Sequence, residues 1–230
     1  MAKVTFNKIP GLFLFPDFFS ESESADLTDK TIELYSKLKV EDTGSLVKAN
    51  IPQPDFVKSQ KHNLESEEYF ARKRLDENGE KLSCEFFPTY GESGHSLAYF
   101  RGNQNLPNFI RESLPKIQSL MKRERLLNKD DPTWKLTVNF YKNINGETAG
   151  FPFHVDIPAN GIVTMIMNIQ KSALFQIAKD NQVHDISIPV GGLLVLSGES
   201  RYEWKHRVLP EESQSTGRKI ERVSLVLGFQ

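Results

Sequence analysis

The pattern of apolar residues changes near residue 130, and this change constrains the fold more than any other feature. From Trp134 onward, apolar side chains alternate with polar ones or form short runs, separated by turn-forming pairs such as Asn160-Gly161 and Gly191-Gly192. Such spacing predicts short antiparallel strands. The predicted strands are Lys135–Tyr141, Ile162–Asn168, Ala173–Ala178, Asp185–Ile188, Leu193–Ser197, Lys205–Val208 and Arg222–Phe229. Short strands at this spacing favour an antiparallel sandwich or barrel of jelly-roll type.

The sequence before residue 130 favours helices and loops. Ser20 and Glu23 form a capping box ahead of apolar residues at helical spacing, which predicts a helix over 21–38. Pro107 and an apolar stripe after it predict a second helix over 107–127. The charged segment 41–80 is interpreted as loop with one helical turn. We therefore expect an α+β protein with a helical N-terminal half packed on a C-terminal jelly-roll core.

The composition indicates a soluble intracellular protein. A chain of 230 residues suits a single domain over 1–230, with 1–130 as the helical, substrate-lid part and 131–230 as the jelly-roll core. No apolar stretch approaches the ~20 residues of a membrane helix, so no membrane partner is expected. The single cysteine, Cys84, and the absence of a secretory signal pattern fit the cytoplasm or nucleus. The oligomeric state stays open.

The tripeptide His154-Val155-Asp156 is the most informative of the polar patterns. In an extended segment, residues i and i+2 project from the same face, so both side chains can reach one point. Two histidines and one carboxylate on one side of a metal are typical of non-haem Fe(II) oxygenases. His206, in a later strand that a jelly roll can bring alongside, is the candidate third ligand. His62 and His184 are interpreted as loop or solvent-exposed histidines.

The last predicted strand carries a candidate carboxylate-binding pair, Arg222 and Ser224. A guanidinium binds a carboxylate through two hydrogen bonds, and a hydroxyl two residues further on faces the same way. The strand alternates this polar set with apolar Val223, Leu225 and Leu227. The pattern leaves open which face is the core, and a surface arginine remains the alternative.

These landmarks together resemble a known family. The stretch 134–230 is similar to the AlkB-like branch of the Fe(II)/2-oxoglutarate-dependent dioxygenases, whose characteristic residues occur here in the same order. The matching elements are Asn139-Phe140-Tyr141, His154-Val155-Asp156, His206 and Arg222, with a less specific similarity at Ile9–Leu12 and Asp17–Phe19. The resemblance implies a double-stranded β-helix, another name for the jelly roll, that uses Fe(II), 2-oxoglutarate and O2.

The resemblance also implies roles for individual residues. His154, Asp156 and His206 would hold the iron, while Asn139, Tyr141 and Arg222 would contact 2-oxoglutarate. The family's last strand reads Arg-x-Asn-x-Thr-x-Arg, and Gly228 stands here where the second arginine is expected. Either the co-substrate is braced differently and turnover is slow or lost, or Arg222 and Ser224 share its distal carboxylate, as the Arg-x-Ser pair does in other 2-oxoglutarate oxygenases.

The substrate is expected to be an alkylated base in DNA or RNA, oxidatively demethylated in repair or a similar process. Aromatic residues between the two helices are candidates for a lid that stacks on a flipped base. The candidate lid residues are Phe86, Phe87, Tyr90, Tyr99 and Phe100 with His95, of which Tyr90, His95 and Tyr99 are the predicted substrate contacts. A basic cluster could follow phosphates; its members are Arg111, Lys116, Lys122, Arg123, Arg125 and Lys129.

Four alternatives remain for these residues and for the function. The aromatic residues can equally be core packing under a loop, and the basic cluster can be a solvated helix face. A protein side chain is the alternative substrate, demethylated or hydroxylated by the same chemistry. The net charge of −1 argues against strong electrostatic capture of nucleic acid. The last alternative is a protein that is not an enzyme, a β-sandwich binding module in which the histidines are structural.

Overall fold

The structure is a computed structural model that describes most of the chain. The residues described are 2–37, 39–40, 74–75, 84–87, 95–144, 146–156, 160–213 and 220–230. Within them, no helix combines the length and apolar character needed to span a membrane.

Strands outnumber helices throughout the described chain. The strands are β1 (Val4–Thr5), β2 (Leu12–Phe15), β3 (Lys39–Val40), β4 (Arg74–Leu75), β5 (Cys84–Phe87), β6 (His95–Arg101), β7 (Trp134–Ile144), β8 (Glu147–Thr148), β9 (Phe151–His154), β10 (Val163–Asn168), β11 (Ala173–Lys179), β12 (Gln182–Ile188), β13 (Leu193–Ser197), β14 (Lys205–Val208), β15 (Glu211–Glu212) and β16 (Ile220–Phe229). The α-helices are α1 (Glu21–Lys37), α2 (Asn108–Arg123) and α3 (Gly198–Tyr202), and Asn103–Asn105 form one 3-10 turn.

Two antiparallel sheets form the body of the protein. The major sheet runs β1-β2-β13-β10-β16-β7-β6-β5, with β8 and β15 attached at the end of β7. The minor sheet runs β12-β11-β14-β9, and β3 pairs with β4. This arrangement confirms the predicted fold class, an α+β protein built on a double-stranded β-helix.

Both predicted helices are present. The capping box of α1 is formed as expected, because the Ser20 backbone N–H donates to Glu23 Oε2 at 2.7 Å and the Glu23 N–H donates to Ser20 Oγ at 3.2 Å. The helix ends at Lys37, and the second helix spans Asn108–Arg123, four residues shorter at its C-terminal end than predicted. The segment 41–80 lies outside the described residues, apart from the β4 backbone.

The major sheet differs from the expectation in where its strands come from. It recruits β1 and β2 at one edge and β5 and β6 at the other, all from the N-terminal half that was expected to be helical. The jelly-roll core therefore extends beyond 131–230. His184 lies on β12, half-buried and with its ring centroid 5.8 Å from that of Trp204, so its interpretation as a loop or solvent-exposed histidine was wrong.

Each face of the major sheet packs against a different layer. One face carries Val138, Phe140 and Leu225 into a core shared with α1 and α2, where Tyr35 packs on Phe140 at a centroid distance of 4.7 Å. The other face meets the minor sheet through a second core. Its buried members are Ile9, Leu12, Leu14, Ile166, Phe175, Ile177, Ile186, Ile188, Leu194, Leu196 and Trp204. The layers are thus helices, major sheet and minor sheet, and the site lies between the two sheets.

Candidate metal and co-substrate site

A cavity opens between the two sheets beside the second core. It encloses about 590 Å³ of empty space, its open mouth included. Its lining residues are Leu97, Tyr99, Thr137, Asn139, Tyr141, Phe151, His154, Asp156, Asn160, Ile166, Phe175, His206, Val208, Ser224 and Val226. These side chains combine apolar walls with a few convergent polar groups, which is the usual composition of a small-molecule site.

The structure brings His154, Asp156 and His206 together in this cavity. His154 ends β9 and lies directly opposite His206 of β14 in the minor sheet, and Asp156 follows two residues after His154. The Asp156 carboxylate is 3.8 Å from His154 Nε2 through Oδ1 and 3.9 Å from His206 Nε2 through Oδ2. One ligand atom from each residue lies within 4.8 Å of the others.

Burial sets the protonation state of this cluster. It lowers the pKa of His206 to about 3 and holds the pKa of His154 below its usual value. Burial opposes ionisation of Asp156, yet the two imidazoles, when they are protonated, and the Arg201 guanidinium keep the pKa of its carboxyl below the ordinary range. At neutral pH the cluster is therefore two neutral imidazoles and one carboxylate, the state in which these groups bind metal.

The donor set fits a divalent iron ion. His154 Nδ1 lies 2.9 Å from the Pro152 carbonyl, so Nδ1 carries the proton and Nε2 presents its lone pair to the cavity. Asp156 Oδ2 and His206 Nδ1 are buried without a hydrogen-bond partner among the described residues. Two imidazoles and a carboxylate grouped on one side, with open space opposite, form the facial arrangement of non-haem Fe(II) sites.

Arg222 provides a buried cation on the strand that forms the cavity wall. Its side chain is fully buried, and its Cζ lies 4.4 Å from the centroid of the Tyr141 ring. Nη2 donates to the carbonyls of Ala149 and Leu209. Nε and Nη1 have no hydrogen-bond partner within the described chain, although Nη1 is 3.7 Å from a Glu211 carboxylate oxygen. The N–H groups of two buried nitrogens are therefore left for a further acceptor.

The other predicted co-substrate residues share this face of the sheet. In the register of β7 with β16, Asn139 faces Ser224 and Tyr141 faces Arg222, and all but Arg222 line the cavity. Burial raises the pKa of the Tyr141 phenol, so the hydroxyl stays protonated and can donate. The polar face of β16 is thus as buried as its apolar face, which settles the alternative that the sequence pattern left open.

The predicted substrate contacts occupy different places. His95 is fully buried behind the cavity, 3.0 Å from Asn139 Oδ1 through Nε2, with its ring against Tyr141 and Phe151. Tyr99 lines the cavity and is 9% exposed. Tyr90 lies outside the described residues, as do the side chains of Phe86 and Phe87, while Phe100 packs in the helix-side core.

The basic cluster lies on the helix side of the major sheet. The apolar stripe of α2 packs into the core that β7 and β16 share with the helices, on the face opposite the cavity. Lys116 pairs with Glu23 at 2.7 Å, Lys122 with Asp130 at 2.9 Å and Arg123 with its neighbour Glu124 at 3.2 Å. These charges are partly neutralised and point away from the candidate metal site.

Comparison with solved structures identifies the fold. A Pseudomonas putida prolyl-4-hydroxylase superposes with a TM-score of 0.54 at 14% identity, covering 96% of this chain and 92% of that one. OsALKBH1 superposes with a TM-score of 0.51 at 13% identity, covering 100% of this chain and 99% of that one. The chain has the double-stranded β-helix fold of these two proteins. No protein-family model and no curated protein sequence matches it.

The double-stranded β-helix explains why Gly228 cannot carry a side chain. A Cβ at this position would lie 1.8 Å from the Asn160 carbonyl oxygen and 3.0 Å from that of Val163. An arginine here would require the backbone to move, so the second arginine of the AlkB-like pattern has no place on this strand.

Two charged residues near the site were missed by the sequence analysis. Arg201 on α3 is 1% exposed and hydrogen-bonds the main chain of Asp156, and Glu211 on β15 lies beside Arg222. Neither belongs to a spaced motif, and both become significant only when the strands are assembled. The sequence alone therefore offered no signal for them.

Proposed function

We propose that this protein is an Fe(II)- and 2-oxoglutarate-dependent dioxygenase that hydroxylates a substrate C–H bond. The observation that carries the proposal is the buried cluster of His154, Asp156 and His206, which opens onto a cavity walled by the Arg222 and Ser224 strand. The neutral imidazoles and the carboxylate are ready to bind a metal without prior deprotonation at neutral pH.

His154, Asp156 and His206 would hold the iron from one side, leaving its remaining positions toward the cavity. Iron(II) bound there supplies the chemistry by which O2 and 2-oxoglutarate yield succinate, carbon dioxide and a hydroxylated substrate. The fold positions two ligands by strand pairing, because His154 and His206 are directly opposite in register. This rigidity fixes the imidazoles before any metal binds.

Arg222 and Ser224 would bind the distal carboxylate of 2-oxoglutarate. Arg222 offers N–H donors on Nε and Nη1, and the Ser224 hydroxyl lines the cavity on the same strand face. The dry setting strengthens such a charge-assisted pair relative to water. The apolar walls, among them Ile166, Phe175 and Val208, would exclude water from the reacting end.

Succinate formation tests the proposed function without knowledge of the substrate. The purified chain is incubated with 2-oxoglutarate, Fe(II), ascorbate and O2, alongside His206→Ala and the control His184→Ala. In the minor sheet, Ile177 of β11 is paired with His184 on one neighbouring strand and with His206 on the other. The two variants therefore match in residue type and in their place in the sheet. We expect succinate from wild type and His184→Ala but not from His206→Ala. No succinate and no 2-oxoglutarate binding by wild type would leave the non-catalytic binding module.

Alkylated bases of DNA or RNA are the first substrate class that we propose, with oxidative demethylation as the outcome. The support is the aromatic composition of the cavity, whose lining includes Tyr99, Tyr141 and Phe151. Hydroxylation of an N-methyl group gives a hemiaminal that releases formaldehyde, so the expected products are the free base and formaldehyde.

A protein side chain is the second candidate substrate, favoured by the electrostatics of the described surface. The basic side chains of α2 are largely ion-paired, and the helix lies on the opposite side of the major sheet from the cavity. A nucleic-acid enzyme depends on a cationic path to its site, whereas recognition of a protein side chain does not.

A binding assay separates these two classes. Single-stranded methylated oligonucleotides are titrated at low and high salt, and formaldehyde release is then measured from the same oligonucleotides and from methylated peptides. Salt-sensitive binding with formaldehyde from the oligonucleotide supports the nucleic-acid class. Salt-independent, weak oligonucleotide binding together with peptide oxidation supports the protein class.

A further inference from the structure

Arg201 is a buried cation that the proposed chemistry does not yet use. It lies on α3, the five-residue helix between β13 and β14, and its side chain is 1% exposed. Removing a guanidinium from water is costly unless acceptors or an opposite charge compensate for the lost hydration. The burial of Arg201 therefore requires interactions that compensate for this cost.

The contacts of Arg201 lead to the candidate metal ligands. Its Nη1 donates to the main-chain carbonyl of Asp156 at 2.8 Å. This bond reaches the main chain of the residue that supplies the only carboxylate of the cluster.

The helix that carries Arg201 is fixed on several sides. The Ser197 and Ser200 backbone N–H groups donate to the carbonyls of Gly11 and Pro10, at 3.0 and 3.1 Å, which ties α3 to the N-terminal segment. Lys179 Nζ also contacts the Glu199 and Glu203 carboxylates at 2.8 and 2.7 Å. These contacts restrain α3, so the guanidinium is held in place before a metal binds.

We propose that Arg201 is a positioning residue for the metal centre: its guanidinium holds the main chain of Asp156 and brings a permanent positive charge to the residue that supplies the carboxylate ligand. The inference rests on the proposed function only in that the cluster binds a divalent metal. Asp156 follows the end of β9 and is not part of the paired strand, so strand pairing does not fix this ligand. The hydrogen bond from Arg201 to the main-chain carbonyl of Asp156 restrains it instead.

The strand β16 has no room for a second cation at Gly228. Gly228 lies against the Asn160 backbone, which leaves no room for a side chain at that position of the strand. In this chain the cation beside the metal ligands comes from α3 instead, and the cation of β16, Arg222, lies behind Tyr141. Arg201 thus restrains a metal ligand, whereas Arg222 binds the co-substrate.

The test is Co(II) binding to the metal-free full-length chain, measured by visible absorption, for wild type, Arg201→Met, Arg201→Lys and Arg207→Met. Arg207 is the matched control, a half-buried arginine on β14 that contacts Gln176 and the Phe153 ring. We expect Arg201→Met to weaken Co(II) binding by roughly 10–100-fold, the cost of losing an outer-shell partner. The absorption spectrum at saturation should also change, because a displaced Asp156 alters the ligand geometry.

Arg201→Lys should fall between wild type and Arg201→Met, since an ammonium keeps the charge but lacks the planar fork. Thermal unfolding of each variant shows whether it is folded. If Arg201→Met does not fold, Arg201→Lys decides, and wild-type affinity and spectrum in that variant would overturn the proposal. Equal losses in Arg201→Met and Arg207→Met would also overturn it. Undiminished Co(II) binding by His154→Ala would instead refute the metal assignment itself.

Discussion

The two faces of the β7–β16 pair are both buried, yet they have opposite chemistry. The helix-side face carries the apolar side chains of Val138, Phe140, Val223 and Leu225 into the core that it shares with α1 and α2. The cavity-side face carries Asn139, Tyr141, Arg222 and Ser224 at alternate positions of the same two strands. The same backbone therefore serves folding on one side and binding on the other.

The helix-side face stabilises the fold, whereas the cavity-side face carries the functional groups. Each large apolar side chain that is fully buried on the helix side contributes on the order of 1.5–3 kcal/mol. On the cavity side, two Arg222 nitrogens, Asp156 Oδ2 and His206 Nδ1 are buried with no hydrogen-bond partner within the described chain. Such groups cost stability in the empty protein. A ligand that bonds to these groups should restore the lost stability.

The largest effect on the cavity side is expected from Asp156→Ala. Asp156 is the only carboxylate among the three candidate metal ligands, so its removal should abolish Fe(II)-dependent succinate formation. The loss of activity should exceed the roughly 10–100-fold reduction that follows the change of a residue in contact with a ligand. Circular dichroism should show an intact fold. Asp185→Ala, which removes an exposed carboxylate from β12, is the control and should keep full activity. Activity in Asp156→Ala equal to the control would contradict the assignment.

The largest effect on the helix side is expected from Phe140→Ala. Phe140 is fully buried against Tyr35, so its truncation should lower the free energy of unfolding by about 3–5 kcal/mol. Urea denaturation measures this loss, and Co(II) affinity of the folded protein should stay within about twofold. A loss below about 1 kcal/mol, or a selective loss of metal affinity, would break the division between the two faces.

Arg222→Met should weaken 2-oxoglutarate binding by roughly 10–100-fold, because a hydrogen-bonded charge contributes about 1.5–3 kcal/mol. Calorimetric titration of the Co(II)-loaded protein measures the change, and metal affinity itself should be unaltered. Arg207→Met provides the matched control on the minor sheet. Equal 2-oxoglutarate affinity in the two variants would remove Arg222 from the co-substrate site.

The pH dependence of unfolding reports on the buried histidines of the cavity side. Burial lowers the pKa of His95 from 6.5 to about 3, so the folded state keeps this ring neutral while the unfolded state takes up a proton. The metal-free protein should therefore lose stability as the pH falls from 6.5 toward 3. The slope due to His95 is at most ~1.4 kcal/mol per pH unit. Replacing His95 by Gln should reduce the measured slope by about that amount, and an unchanged slope would argue against a neutral His95.

The smallest effect is expected from Glu211→Gln. The Glu211 carboxylate lies 3.7 Å from Arg222 Nη1 and competes with an incoming carboxylate for the same charge. Its removal should tighten 2-oxoglutarate binding by about two- to fivefold, the range of a partly exposed ion pair. The neighbouring Glu212→Gln makes the same charge change and should have no effect. Weaker binding in Glu211→Gln would mean that this carboxylate orients Arg222 instead.

The sequence predicted the strands that carry the site better than the elements around them. Alternation along Arg222–Phe229 and the spacing of His154 with Asp156 depend on local geometry, which a sequence expresses directly. β9 was missed because Pro152 interrupts a four-residue strand, and β2 because a short apolar run fits helix and strand equally. Arg201 was missed because its burial is a product of tertiary packing. No local pattern distinguishes it from a surface arginine.

The central claim is that the polar face of the cavity binds a metal and 2-oxoglutarate together. The most direct test is calorimetric titration of 2-oxoglutarate into the metal-free chain and into the Co(II)-loaded chain. We expect strong 2-oxoglutarate binding only with metal present, and we expect this binding to be lost in His154→Ala and weakened in Arg222→Met. Equal 2-oxoglutarate binding with and without metal, or no binding in either case, would contradict it.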